Sequence, residues 1–381
     1  MRRGIVAAAL GAMLMMTAAP AGVAAAEPVG AAGSEPAPGI RVEGRTEVSD
    51  TVVAPDGVRR VTLYSGPVQL RRGTEWVPVD LTLRTDPDGL VRPAAAVHDL
   101  VLGPTGPSVR FAGGGSAALD WPTPLPAPRL EGNRAVYTQV RPGYDLVVEA
   151  TRAGFVASAH RAGPTTAPAP ALALRRGAEA VPAVDPLSGA ALPGSPTQRE
   201  TAVSRVVAAA PPAGPAPAPF DTTVQTNMLN TDTSGDPDLR LGSYDGTAIA
   251  RSYLTWDLAQ VTGQPIAGAT LRLHQDWSSS CRPAAWEVWS SPVVGPATRW
   301  ANQPAADRAW ATSTETRGNN ASCAPGWTEV DVTELVRSWA AATAPNGTMQ
   351  LRAGNETDPL GWKRFGSAES PNVPQLQVTL G

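Results

Sequence analysis

Apolar and polar positions alternate along most of the chain from Val61 onward. Val61-Thr62-Leu63-Tyr64 and Trp76-Val77-Pro78-Val79-Asp80-Leu81-Thr82-Leu83 carry the period of two expected of strands with one buried face, and Asp86-Pro87-Asp88-Gly89 closes the second run with a turn. Similar short runs continue through Phe155, and they predict a small all-β domain over residues 46–161. Within it Pro122, Pro124, Pro126 and Pro128 follow Trp121; a stretch so poor in backbone N–H groups predicts an extended surface connection, not a central strand. Residues 162–219 alternate Ala with Pro near both ends and predict a linker of partly polyproline geometry; the competing reading is that Ala171 to Val207 forms a helix or strand inside one domain.

After Phe220 the alternation strengthens. In Ser252-Tyr253-Leu254-Thr255-Trp256-Asp257-Leu258, Leu254, Trp256 and Leu258 form one face and Tyr253, Thr255 and Asp257 the other. Residues 269–274, 285–289, 327–332, 348–352 and 375–380 repeat the pattern. One segment breaks it: Thr333 stands as an N-cap before Leu335, Val336 and Trp339, which share a side of a short helix ending before Ala344-Pro345-Asn346-Gly347. Several strands with one short helix predict a jelly-roll β-sandwich over residues 220–381, with Trp256 and Trp339 in its core. The fold class is thus all-β, two β domains joined by a Pro/Ala-rich linker.

The first residues are of another kind. Met1-Arg2-Arg3 precedes an apolar run that ends in Ala24-Ala25-Ala26, the form of a secretory signal peptide cut after Ala26, and residues 27–45 have no apolar period and predict a flexible lead-in. The expected product is released outside the cell without a membrane anchor. Cys281 and Cys323 are the 2 cysteines, an even number that fits a disulfide in an exported chain. A bridge over a loop of roughly 40 residues stabilises by about 4 kcal/mol in the chain-entropy treatment.

Charge narrows the partners. With 31 basic and 34 acidic side chains the net charge is −3, so no face is basic enough to follow a phosphate backbone, and nucleic acid is not an expected partner. All of the 11 Trp except Trp76 and Trp121 lie after residue 220. An indole offers a broad apolar plane with a polar edge, the shape that stacks on a pyranose, and Trp277, Trp286, Trp289, Trp300, Trp310, Trp327 and Trp362 form the pool. Trp277, Trp310 and Trp362 adjoin polar turns and are the expected ligand platforms; the competing reading of each is core filling. Asn230-Thr231-Asp232-Thr233-Ser234-Gly235-Asp236-Pro237-Asp238 places oxygen donors at alternate positions, so Asp232, Asp236 and Asp238 are read as ligands of an irregular structural Ca²⁺ site, against a solvated turn. Glu329, Asp331 and Glu334 are the acidic candidates for hydrolysis. Glu329 and Asp331 share a strand face about 7 Å apart, as on any solvent face, and no nucleophile or zinc motif accompanies them. A catalytic role is not expected.

The C-terminal series resembles the DNRLRE domain of secreted bacterial and archaeal proteins, which is related to the family 96 carbohydrate-binding modules. The likeness runs through Asp221-Thr222-Thr223-Val224, Leu239-Arg240-Leu241-Gly242, residues 251–258 and 266–273, Thr298-Arg299-Trp300-Ala301-Asn302-Gln303-Pro304, residues 330–336 with Trp339, and Trp362-Lys363-Arg364-Phe365. Asp236-Pro237-Asp238-Leu239-Arg240-Leu241 keeps part of the name-giving motif. Trp121 with its Pro run, Ala135-Val136-Tyr137 and Pro142-Gly143-Tyr144-Asp145-Leu146 are similar to the β-region preceding such domains in actinobacterial surface proteins, including those with YD-repeat toxin arrays. The resemblance implies an extracellular, non-catalytic wall, matrix or shell component. Its expected partner is a polysaccharide or cell-wall glycan, and the alternative is an extracellular protein.

Overall fold

The computed structural model describes residues 39–176, 179–182, 202–209 and 219–381. The expected signal peptide, most of the expected lead-in and parts of the expected linker lie outside these residues. Among the described residues the architecture is all-β with one α-helix, as the alternation predicts, and it consists of two β-sandwich units that share a border.

The second unit holds the larger core. Asp238–Ser243 pairs through its first four residues with Lys363–Gly366 and through its last two with Ile249–Asp257, so it crosses between two layers. Gly242 sits at that crossing with φ +88°, and a Cβ there would meet the Gly361 oxygen and the Ala353 side chain at 3.2 and 3.3 Å. The front layer runs Phe220–Gln225, Ile249–Asp257, Asn346–Ala353, Trp286–Ser291, Arg308–Ser313, all antiparallel. The back layer centres on Ile266–Ser278, flanked on one side by Gly326–Asp331 and on the other by Gln375–Leu380 and Lys363–Gly366. Between them Leu254, Trp256, Trp286, Leu271, Leu273, Leu351, Phe365 and Leu376 are fully buried. Each such side chain stabilises by about 1.5–3 kcal/mol relative to exposure. The helix Thr333–Ala341 closes one end with Leu335, Val336 and Ala340. Its cap differs from expectation: Thr333 opens the helix, its N–H donates to Asp331 Oδ1 at 2.9 Å, and its hydroxyl oxygen accepts from the Ala269 N–H. Trp256 is buried as expected, and Trp339 packs half-buried against the core edge.

Strand pairing does not follow the expected boundaries. Arg41–Thr46 is already a strand, within the segment expected to be flexible, and it pairs with Ser49–Val53, which pairs with Arg59–Tyr64. The last of these pairs with Gln375–Leu380, so Val61 and Leu63 enter the core of the second unit. The first unit starts after this hairpin. Its far sheet holds seven strands from Asp80–Thr85 to Glu179–Pro182; its near sheet runs Arg129–Glu131, Arg134–Arg141, Tyr144–Ala150, Gly154–Arg161, Ala202–Ala209. Ala173–Arg176 and Ala202–Ala209 both lie where a linker was expected. They are strands because each finds a partner edge, Ser116–Leu119 and Gly154–Arg161, too distant in sequence to show in local composition.

The two units meet on the outer face of the near sheet. Val147, Val156, Ser158 and Arg205 point away from the first core yet are buried, and the loop 231–237 of the second unit packs on Val156 and Arg205. A Cβ on Gly235 would lie 2.4 Å from Val156 Cγ2, so only glycine permits this approach.

Candidate functional site

The front sheet turns its other face outward. With Leu254, Trp256, Met349, Leu351, Trp286 and Val288 facing the core, the pleat sends Arg251, Tyr253, Thr348, Gln350, Arg352, Glu287 and Trp289 to the opposite side. Register aligns them in rows: Thr222, Tyr253, Gln350 and Trp289 lie across four neighbouring strands, and Arg352 faces Glu287 in the adjoining row.

The floor of this face is buried and polar. Tyr253 Oη donates to Gln303 Oε1 at 3.1 Å and accepts from Gln350 Nε2. Gln350 is only 1% exposed, and its Oε1 has no hydrogen-bond partner. An unpaired buried acceptor costs about 1–3 kcal/mol. Burial raises the Tyr253 pKa, which keeps the phenol a donor.

Two half-buried indoles flank the floor. Trp289 donates from Nε1 to Glu287 Oε2 at 2.7 Å, and the Arg352 guanidinium lies 3.8 Å from its ring centre. Arg352 Nε has no partner; burial and the nearby Arg251 pull its pKa down without removing its charge. On the other side, the segment 296–303 folds over the sheet edge and brings Trp300 to 5.1 Å from the Arg251 guanidinium. Arg251 is fixed by a two-point pair with Glu356 at 2.7 and 2.8 Å. Phe220, Val224, Tyr253 and Val294 pack beneath Trp300 as a second, small apolar cluster. The resulting surface has half-buried indoles at two places, with Arg251 and Gln303 half-exposed beside Trp300 and Glu287 and Arg352 half-exposed beside Trp289.

The residues singled out from sequence are distributed elsewhere. Trp362 is fully buried, with its ring edge-on to Tyr244 at 5.5 Å, so it is a core residue and not a platform. Polar neighbours misled here, because Trp362 directly precedes a completely buried strand. Trp277 is half-buried at a bulge of the back sheet, away from the front face. Trp310 is half-buried, donates from Nε1 to Ser290 Oγ at 3.0 Å, and lines a cleft of about 610 Å³ beside Glu329, Asp331, Glu334 and Arg337. Those carboxylates have structural partners: Arg272 for Glu329, Arg337 for Glu334, and for Asp331 the Thr333 hydroxyl and amide, which hold it below the usual carboxylate range. Trp289 and Trp300 belong to the tryptophan pool but not to the chosen platforms. The signal that finds them is their position on the outward face next to Tyr253, which requires the strand register.

The expected calcium ligands are claimed by arginines. Asp236 pairs with Arg205 at 2.7 Å and Arg240 at 2.9 Å, Asp238 with Arg240 at 3.0 Å and with Arg364, and Asp232 with Arg299 at 3.2 Å. Burial pushes Asp238 up, yet Arg240 and Arg364 outweigh it and hold it at about 2. Four guanidinium groups around three carboxylates form an ion-pair network, and no group of three or more metal-ligating side chains occurs among the described residues. Cys281 and Cys323 form the expected disulfide, with Cα atoms 5.7 Å apart.

Residues 216–380 match the model of carbohydrate-binding module family 96. No curated protein matches the chain. Among solved structures, one titled "Complete structure of manganese lipoxygenase of Gaeumannomyces graminis and partial structure of zonadhesin of Komagataella pastoris" aligns at 10% identity over 90% of this chain and 82% of that one, with a TM-score of 0.14, too low to carry an argument. The part of the chain that builds the front sheet, with Trp289 and Trp300 on its outward face, is similar to a carbohydrate-binding module.

Proposed function

We propose that the protein is an exported, non-catalytic polysaccharide-binding protein, and that its ligand, a cell-wall or matrix glycan, lies on the outward face of the front sheet. The reading is supported most directly by the half-buried Trp289 on the outward face, held by Glu287 and Arg352, which are themselves half-exposed. Trp289 takes the apolar face of a sugar ring, and the half-exposed Arg352 and Glu287 beside it take its hydroxyls. The disulfide fits an oxidising compartment.

The test is affinity electrophoresis of the full chain through gels containing plant, algal and bacterial polysaccharides. Retardation by at least one of them is expected, and Trp289→Ala is expected to lose it with thermal unfolding unchanged. Free migration through every gel, or retardation that survives Trp289→Ala, overturns the assignment and makes a protein partner the leading reading.

A further inference from the structure

A continuous chain of polar contacts runs from the first unit to the proposed glycan face. Arg205, on the near sheet and 6% exposed, sends one guanidinium nitrogen to Asp236 Oδ1 at 2.7 Å and another to the backbone oxygen of Asp232. The Asp232 side chain turns the other way: its Oδ1 accepts from the Ser234 amide and hydroxyl, and its Oδ2 pairs with Arg299 at 3.2 Å. Arg299 then fixes its own segment, donating to the oxygens of Asn230, Pro296 and Thr298 at 3.0, 2.7 and 2.8 Å, while its N–H donates to Asn302 Oδ1 at 2.6 Å. The next residues are Trp300, over Arg251, and Gln303, which accepts from Tyr253 and from Arg251.

We infer that Arg205 is a positioning residue for the glycan face: the first unit holds the loop 231–236, and through Asp232 and Arg299 that loop sets the placement of Trp300 and Gln303 over the front sheet. The inference rests on the glycan reading for its functional consequence, but the mechanical coupling stands on the contacts alone. Trp300 and Gln303 sit on an irregular segment with one short 3₁₀ turn, so their placement depends on such tethers more than on a regular ladder of their own. A fork-shaped guanidinium that reaches two acceptors does this where an ammonium does not. The residues that touch the sugar then belong to the second unit, while the geometry of their rim is set by the first.

Three variants of the full chain test it: Arg205→Ala, Arg205→Lys and Asp232→Asn. The last leaves the Arg205–Asp236 pair in place and weakens only the step to Arg299, so it answers the question even where Arg205→Ala fails to fold. The two readouts are affinity for a polysaccharide that retards the wild type, and amide hydrogen exchange of residues 296–303. Asp232→Asn and Arg205→Ala are expected to weaken binding roughly tenfold, Arg205→Lys to restore little of it, and all three to speed exchange at 296–303 with residues 346–353 unchanged. Wild-type exchange at 296–303 in Asp232→Asn and in folded Arg205→Ala overturns the inference. Faster exchange there together with a wild type that binds no polysaccharide supports the coupling and sinks the glycan reading instead.

Discussion

Two sheet faces in this molecule carry the same kind of side chains and have opposite fates. The near sheet of the first unit places Arg134, Glu149, Ser158, His160 and Arg205 on its outer face; the front sheet of the second places Arg251, Tyr253, Glu287, Trp289, Gln350 and Arg352 there. The first face is roofed by the loop 231–237, and its charges are consumed by the protein's own groups. The second is buried at its centre, at Tyr253 and Gln350, and stays half-exposed at Trp289, Glu287 and Arg352. Alternation in sequence identifies an outward face but does not say what it faces. The difference is made by one glycine, Gly235, which lets a loop lie flat on Val156, and by the segment 296–303, which packs Trp300 on the cluster around Tyr253 and leaves Trp289 and Arg352 half-exposed.

The sharpest way to break this contrast is to remove one charge from each region. Asp236→Ala leaves Arg205 and Arg240 buried with a carboxylate missing, and is expected to cost about 3–5 kcal/mol in denaturant unfolding. Glu356→Ala, which frees the half-exposed Arg251, is expected to cost about 1 kcal/mol or less. Equal costs would erase the distinction between covered and half-exposed. On the front face, Trp289→Ala is expected to weaken polysaccharide affinity by about 2 kcal/mol, near thirtyfold, with the unfolding midpoint held; Trp362→Ala reverses the pattern and costs about 3–5 kcal/mol of stability.

The border between the units adds a pH effect. Asp221 accepts from Ser65 Oγ at 3.0 Å and from the Ala368 amide at 2.7 Å, and it is buried. Burial raises its pKa to about 7 against the Ala368 hydrogen bond, with Glu369 adding to the rise. Its ordinary value is 3.8, so between about pH 4 and 7 the folded state binds more protons than the unfolded one, and this carboxyl's contribution to stability falls as pH rises. Asp221→Asn is expected to flatten that part of the stability profile; an unchanged slope would show that Asp221 is solvated or already ionised.

The smallest effect concerns Lys363, the only lysine of the sequence, fully buried with Nζ on Thr316 Oγ1 at 2.6 Å and pulled down to about 8 by burial. An amine-reactive reagent at pH 8 should add one group to the folded chain, at its α-amine, and a second only after unfolding. Rapid double labelling would show that this strand opens.

Much of the fold was legible because it is local. Strands with a strict period of two, the turn at Asp86–Gly89, the short helix and the cysteine pair all announce themselves within a few residues. What was not legible depends on distant partners. The loop 230–238 reads as a cation site because its oxygens are adjacent, while the arginines that neutralise it come from positions 205, 240, 299 and 364. Trp362 reads as a surface residue because it adjoins a polar turn, although it and the Lys363 and Arg364 that follow it are buried. Residues 41–45 read as lead-in and residues 46–64 as part of the first unit because the strand that Arg59–Tyr64 pairs with, Gln375–Leu380, lies at the other end of the chain. Trp289 could be placed on an outward face from sequence, but only the register shows Tyr253 and Gln350 beside it.

Hydroxyl-radical footprinting of the full chain with and without a polysaccharide that retards it tests the central claim most directly. Protection concentrated at Trp289, at residues 350–352 and at Trp300, with the near sheet and Trp277 unaffected, is the predicted result. Protection centred on Trp310 and the cleft beside Glu329, or on the first unit, with Trp289 as reactive as in the free protein, would contradict it.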